Sequence, residues 1–86
     1  MTKTYVITKH SKNKEYKSSP GTIAELVDYY QYTLDVGASY QHEKGNQKIN
    51  TTPKTISSLI LNLHKAVNNS AQNGYSDIQF TVEEVK

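Results

Sequence analysis

The sequence contains no cysteine and no arginine, and each of these absences excludes or disfavours particular kinds of chemistry. Without cysteine, a disulfide, a thiolate nucleophile and a cysteine-ligated zinc or iron–sulfur site are all excluded. All ten basic residues are lysines. Because arginine is the usual residue for bidentate contacts with guanine and phosphate, its absence disfavours sequence-specific DNA recognition.

Long apolar runs are also missing. No run approaches the roughly 20 residues that a membrane-spanning helix needs. The first ten residues, MTKTYVITKH, lack the apolar centre of a signal peptide. We therefore expect a soluble protein of the cytoplasm, with no membrane partner.

Apolar residues are few for a self-sufficient domain. The chain has 86 residues, of which 35% are hydrophobic and 21% are charged. A chain of this length buries only about 60% of its unfolded surface, although its periodic apolar runs argue against disorder. We predict a single domain over residues 1–86 that completes its core by self-association into a homo-oligomer.

The first part of the sequence predicts a β-hairpin followed by a helix. Thr4 to Thr8 and Glu15 to Lys17 have strand-forming residues on either side of a polar turn. Thr22 and Glu25 have the spacing of a capping box, in which each side chain accepts a hydrogen bond from the other's amide. With apolar residues at helical spacing after it, this box predicts a first helix from about Ile23 to Asp35.

The second part predicts a loop, a second helix and a closing strand. Gly37 is expected to end the first helix or to permit a sharp change of direction, and Ala38 to Thr52 then form a long polar loop. Thr52 followed by Pro53 has the pattern of a helix start, and this helix is predicted to run to about Gln72. Residues 76–82 alternate as a strand with one buried face. That face is predicted to carry Ile78, Phe80 and Val82.

The order of these elements is β-β-α-α-β, which predicts an α+β fold. We expect a short, mainly antiparallel sheet that is covered on one face by a two-helix hairpin. The third strand is placed beside the first. The pattern leaves the strand order otherwise open.

The histidines give no indication of a metal centre or of catalysis. His10, His42 and His64 are widely separated, and none has a carboxylate or a second histidine at metal-ligand spacing. His42 lies beside Glu43, but the pattern marks no nucleophile near them. We therefore predict a protein that is not an enzyme, with no catalytic residue, bound metal or cofactor.

The predicted loop and the start of the second helix have the chemistry of an anion site. A helix start offers free amides and the positive end of the helix dipole, lysines supply charge for phosphate, and a tyrosine stacks on a ring. Ordinary helix capping accounts for Thr52 and Pro53 without a ligand and is the simpler explanation of these two residues. The predicted ligand-binding residues are Tyr40, His42, Lys44, Lys48, Asn50, Thr52 and Lys54.

Two other surfaces support different hypotheses. Tyr29 and Tyr32 project away from the centre of the apolar stripe of the first helix, and Leu61 lies on the flank of the second. The tyrosines are predicted to contact another protomer or a ligand or, together with Leu61, a host protein. The alternative is that the tyrosines form a half-buried flank of the helix. Residues 1–17 hold five of the ten lysines. A solvated turn explains them most simply, and non-specific nucleic-acid binding is a less favoured alternative.

Two segments, YTLDVGASYQHEKGNQKINTTPKTISSL and NNSAQNGY, resemble a family of short uncharacterised proteins from bacteriophages and prophages. The resemblance covers roughly residues 30–75 and assigns no catalytic or binding residue. It implies a phage origin and a place in the cytoplasm of the host cell. Small phage accessory proteins commonly act by binding, and one anti-defence kind sequesters nucleotide immune signals in basic pockets of oligomers.

Our leading hypothesis is therefore a non-enzymatic phage accessory protein that sequesters a small phosphorylated, nucleotide-like ligand as a homo-oligomer. The alternative is a protein that inhibits a host or defence protein by binding to it.

Overall fold

The computed structural model describes residues 3–44, 48–69 and 78–85. Within these ranges the chain forms three strands and three helices in the order β-β-α-α-α-β. They are β1 (Thr4–Ser11), β2 (Lys14–Lys17), α1 (Ile23–Tyr29), α2 (Gln31–Lys44), α3 (Ile56–Asn69) and β3 (Ile78–Val85). The fold is of the α+β class, as the sequence predicts.

The strands form one antiparallel sheet in the order β2-β1-β3. β1 pairs with β3 along its whole length, with Thr4 opposite Val85 at one end. The predicted position of the third strand beside the first is thus confirmed. Alternate residues share a face of the sheet, and on one face Ile7 and Phe80 are buried.

On the side of β2, the first half of β1 forms hydrogen bonds with residues that follow the end of β2. The amide of Ile7 donates to the hydroxyl of Ser18 at 3.0 Å, and the amide of Ser18 donates to the carbonyl of Ile7 at 2.9 Å. Tyr5 and Gly21 then exchange two backbone hydrogen bonds, of 2.8 and 3.1 Å. β1 therefore has partners on both sides along most of its length.

The predicted capping box at the start of α1 is confirmed. The hydroxyl of Thr22 accepts from the amide of Glu25, and the carboxylate of Glu25 accepts from the amide of Thr22. α1 and α2 meet at Tyr30, and helical hydrogen bonds continue across it: the amide of Tyr30 donates to Leu26 and its carbonyl accepts from Leu34. The single helix predicted here is thus two consecutive helices.

Gly37 does not end the helix, so this prediction is wrong. α2 continues through Gly37 to Lys44, and the predicted loop that begins at Ala38 is helical over its first part. Gly37 is buried where α2 meets α3. A Cβ atom at this position would lie 2.6 Å from both Cα and Cβ of Ala66 and 2.8 Å from Cδ1 of Ile49. Glycine is needed here because the two helices approach closely.

The second predicted helix start is also wrong, by a few residues. α3 begins at Ile56, where the hydroxyl of Thr55 accepts from the amide of Ser58 at 3.1 Å and caps the helix. Pro53 is buried before the helix and does not form its first turn. The predicted helix end near Gln72 and the predicted strand start at residue 76 lie outside the described residues.

The core lies between the helices and the face of the sheet that carries Ile7 and Phe80. Of the three residues predicted on the buried face of β3, Phe80 is 4% exposed and Ile78 is partly buried. Val82 is 37% exposed, contrary to the prediction. It pairs with the buried Ile7, but it lies on the outer strand of the sheet, where the helices leave it partly uncovered.

Across the described ranges, no helix has both the length and the apolar content required to cross a membrane.

Candidate functional site

Among the described residues, an open groove lies at each end of β1. The first, which we call the lysine groove, has a volume of about 780 Å³. It is formed by the start of β1, the start of α1 and the segment that precedes α3. Its lining is mostly apolar, with lysines supplying the charge. The lining residues are Lys3, Tyr5, Thr22, Ile23, Ala24, Val27, Thr52, Pro53 and Lys54.

The segment before α3 is held in place by the amide side chains of two asparagines. Oδ1 of Asn50 accepts from the amide of Thr52 at 3.0 Å and from its hydroxyl at 3.2 Å. Nδ2 of Asn62, a buried residue of α3, donates to the carbonyl of Asn50 at 2.8 Å. These bonds fix the backbone that carries Thr52 and Lys54 into the lysine groove.

Two acidic residues lie near the lysine groove. Lys3 Nζ is 3.3 Å from Oε1 of Glu84, and the two side chains are 70% and 36% exposed. Glu25 is occupied by the capping box, and hydrogen bonds from the backbone and then the side chain of Thr22 lower the pKa of its carboxyl. Glu25 is thus ionised and tied to the helix start, whereas Glu84 forms an exposed surface ion pair.

The second groove, which we call the tyrosine groove, has a volume of about 750 Å³. It lies between the hairpin of β1 and β2 on one side and α1 and α2 on the other. Three of its tyrosines are strongly exposed: Tyr16 by 52%, Tyr29 by 64% and Tyr32 by 80%. The lining residues are Lys9, Ser11, Tyr16, Tyr29, Tyr30, Tyr32, Thr33, Val36, Ala66, Val67, Ile78 and Phe80.

Buried rings form the floor of the tyrosine groove. The Tyr30 and Phe80 rings meet edge to face at 6.0 Å, and Tyr29 and Tyr30 do the same at 4.8 Å. Burial, and secondarily the neighbouring Tyr29, raises the pKa of Tyr30 to about 12. The amide of Phe80 donates to Nε2 of His64 at 3.0 Å. His64 of α3 therefore fixes the backbone of β3 at the position of the groove floor.

The predicted ligand-binding residues are distributed over two parts of the fold. Thr52 and Lys54 are brought together in the lysine groove. Lys48 and Asn50 are exposed in the same segment. The remaining three, Tyr40, His42 and Lys44, belong to the end of α2, and their side chains lie outside the described part of the structure. The predicted set as a whole stays a prediction.

The predicted interface residues are all exposed. Tyr29 and Tyr32 line the tyrosine groove. Leu61 is 54% exposed on α3 and is not among the lining residues of that groove. That these three residues form a protein interface stays a prediction.

The described histidines are engaged in local contacts. Nε2 of His10 lies 2.9 Å from the Thr81 hydroxyl, and its Nδ1 lies 3.4 Å from Oε1 of Glu15. His64 accepts the hydrogen bond from β3. Among the described residues, no group of three or more His, Cys, Asp and Glu side chains has an arrangement that could hold a metal ion.

The sequence analysis did not select several lining residues of the grooves, among them Lys3, Tyr5, Lys9 and Tyr16. Alternation along β1 places Tyr5 and Lys9 on one face. Tyr16 pairs with Lys9 and therefore lies on the same face. Tyr5, Lys9 and Tyr16 could therefore have been found from the two-residue period of the strand combined with the register of the hairpin. This register was hard to assign because β2 is short.

No family model matches this chain, and neither a curated protein nor a solved structure matches it. Function is therefore inferred from the geometry of the two grooves.

Proposed function

We propose that this chain is a non-enzymatic binding protein that sequesters a small phosphorylated ligand with a flat ring, such as a nucleotide, in the lysine groove. The observation that supports this most is the meeting of Lys3, Lys54 and Tyr5 in one groove of about 780 Å³. Ligand pockets commonly have volumes of about 300–1,000 Å³ and an apolar lining with a few polar groups.

Each part of the groove has a role in this proposal. The ammonium groups of Lys3 and Lys54 bind phosphate oxygens as point charges. Tyr5, together with the apolar side chains of Val27 and Pro53, provides a surface against which a flat ring packs. Among the described residues that line the groove, none is a carboxylate, histidine or cysteine that would act as a general base or nucleophile, which favours binding without chemistry.

The ion pair between Lys3 and Glu84 is compatible with ligand binding. Both side chains are at least one-third exposed. Surface pairs of this kind contribute about 0–1 kcal/mol because water screens them and the side chains lose freedom on pairing. A phosphate that accepts charge-assisted hydrogen bonds from Lys3 replaces this pair at small cost.

Isothermal titration with a panel of cyclic and linear nucleotides tests the proposal. We expect one ligand class to bind, and Lys3→Ala with Lys54→Ala to weaken its binding at least roughly tenfold, since a charged hydrogen bond contributes about 1.5–3 kcal/mol. Native mass spectrometry of the untreated protein reports any ligand retained on purification.

Single lysine variants separate the groove from the site predicted on sequence grounds. Lys3→Ala removes a residue of the groove alone, whereas Lys48→Ala removes a residue of the predicted set that does not line the groove. Lys17→Ala is the matched control for loss of one positive charge at an exposed position. An affinity that falls with Lys48→Ala and not with Lys3→Ala would contradict the assignment to this groove.

A second candidate function is inhibition of a host or defence protein by direct binding. Its support is the 64% and 80% exposure of Tyr29 and Tyr32, because tyrosine is enriched in protein interfaces and in their energetically dominant positions. Under this function, activity is lost with Tyr29→Ala and Tyr32→Ala. The Lys3→Ala, Lys54→Ala variant retains it, which distinguishes the two candidates.

A further inference from the structure

Positive charge lies on the strand side of the tyrosine groove. Lys9 lines the groove, with its Nζ 5.9 Å from the centre of the Tyr16 ring. Lys9 pairs with Tyr16, so Lys14 is the diagonal neighbour of Lys9 on the same face of the hairpin. Diagonal neighbours are about 7–8 Å apart. We call Lys9 and Lys14 together the lysine edge.

Negative charge lies next to Tyr32 on the exposed surface of the helices, beside the groove and outside its lining. Asp28 and Asp35 lie about one helical turn before and after Tyr32, and helical hydrogen bonds continue through this region. Both aspartates are exposed, and Oδ1 of Asp35 accepts from Nε2 of Gln31 at 2.9 Å. Neither forms an ion pair with another described residue. We call Asp28 and Asp35 together the aspartate edge.

We propose that the tyrosine groove is the contact surface of a two-fold symmetric homodimer. In a two-fold contact the same surface is used by both copies, and with the two-fold axis along the groove the lysine edge of each protomer faces the aspartate edge of the other. The charge attraction is thus made twice. The exposed rings of Tyr16, Tyr29 and Tyr32 lie between the two edges and are buried by the second copy.

The distribution of charge favours a second copy over other occupants. A polynucleotide or an acidic peptide would be attracted by the lysine edge but repelled by the aspartate edge. The surface that matches both edges at once is one with the opposite order of charges, which this chain itself presents after a two-fold rotation. Three tyrosines with more than half of their surface exposed also supply aromatic side chains, which are enriched in interfaces.

Charge reversal on each edge gives a direct test. One variant carries Lys9→Glu and Lys14→Glu, and the other carries Asp28→Lys and Asp35→Lys. Sedimentation over a concentration series is expected to show a dimer for the natural sequence and a dimer dissociation constant at least roughly tenfold higher for each variant, because like charges then face each other twice. An equimolar mixture of the two variants is expected to restore the dimer, since each reversed edge then meets a reversed partner.

Two single substitutions distinguish this surface from another one. Tyr32→Ala is expected to weaken the dimer roughly tenfold or more, as truncation of a central tyrosine commonly does. Leu61→Ala removes a 54% exposed apolar side chain of α3 outside the groove and is expected to leave the dimer unchanged. Circular dichroism confirms that each variant is folded.

Two outcomes would overturn the proposal. If the natural chain is a monomer at every concentration, the homodimer is refuted and the exposed tyrosines are better explained as a contact with a different protein. A dimer that persists in both charge-reversal variants, or that Leu61→Ala dissociates, would place the contact elsewhere. Restoration by mixing is the result that a merely destabilised fold would not give.

Discussion

Replacing Gly37 by alanine is expected to destabilise the fold, although alanine is the better helix former. In an exposed helix interior, glycine to alanine stabilises by about 0.8–1 kcal/mol. In this structure the added Cβ would lie 2.6 Å from two atoms of Ala66 and 2.8 Å from Cδ1 of Ile49. Carbon atoms pack at about 3.5–4.0 Å, so α2 and α3 would have to separate by roughly 1 Å.

The steric cost of the added methyl group is larger than the gain in helix propensity. Overpacking of a well-packed core costs about 1–3 kcal/mol, and here the upper part of that range applies because one of the atoms is the backbone Cα of Ala66, which cannot rotate away. We therefore expect a net loss of about 1–2 kcal/mol in the free energy of unfolding. In a domain of this size each kcal/mol lowers Tm by about 4–8 °C.

Urea denaturation followed by circular dichroism measures this loss. Ser39 is exposed on the same helix, so the difference in unfolding free energy between Ser39→Gly and Ser39→Ala measures the helix propensity of alanine over glycine where no neighbouring helix is in contact. Adding Ala66→Gly to Gly37→Ala is expected to restore only part of the stability, because the Cα of residue 66 remains. The reasoning is refuted if Gly37→Ala stabilises the protein by the amount that the Ser39 pair predicts.

Three further predictions concern buried polar groups. Ser18→Ala is expected to cost about 1–3 kcal/mol in urea denaturation, because a buried amide of β1 loses its acceptor, whereas Ser19→Ala at the exposed neighbouring position is expected to be close to neutral. Burial raises the pKa of Tyr30 to about 12, so the contribution of the protonated Tyr30 to stability is fully present below pH 10 and is lost as pH rises from 10 to about 12. Tyr30→Phe should flatten this part of the plot of unfolding free energy against pH, and an unchanged slope would contradict the prediction. His64→Leu is expected to cost about 1–3 kcal/mol by leaving the amide of Phe80 unpaired, and His64→Gln, which keeps an acceptor, is expected to cost less; equal losses would mean that this bond is unimportant.

The sequence predicts this fold well where the determining contacts are local. The capping box of Thr22 and Glu25 spans three residues, and both of its hydrogen bonds are present. The prediction failed at Gly37 because glycine serves two purposes, to end a helix or to admit a neighbouring helix. Only the position of Ala66, which is distant in sequence, decides between them.

The grooves were harder to predict because their residues come from separate elements. Thr52 and Lys54 were found from a helix-start pattern, yet Thr55 is the residue that caps α3. They belong to a groove because the start of β1 brings Lys3 and Tyr5 beside them. No periodicity within one segment contains that information.

The central position of β1 also determines how the chain must fold. β1 and β2 are joined by a short turn, so we expect them to pair early in folding. β3 pairs with β1 from Thr4 opposite Val85, so most of the chain lies between the two strands that must meet. Pairings between residues far apart in sequence slow folding, because the entropy of closing the loop is lost before the contacts form. Until β3 arrives, β1 presents a bare strand edge to any neighbouring chain. We therefore expect the joining of β3 to limit the folding rate, and the chain to be most prone to aggregation in the interval before it.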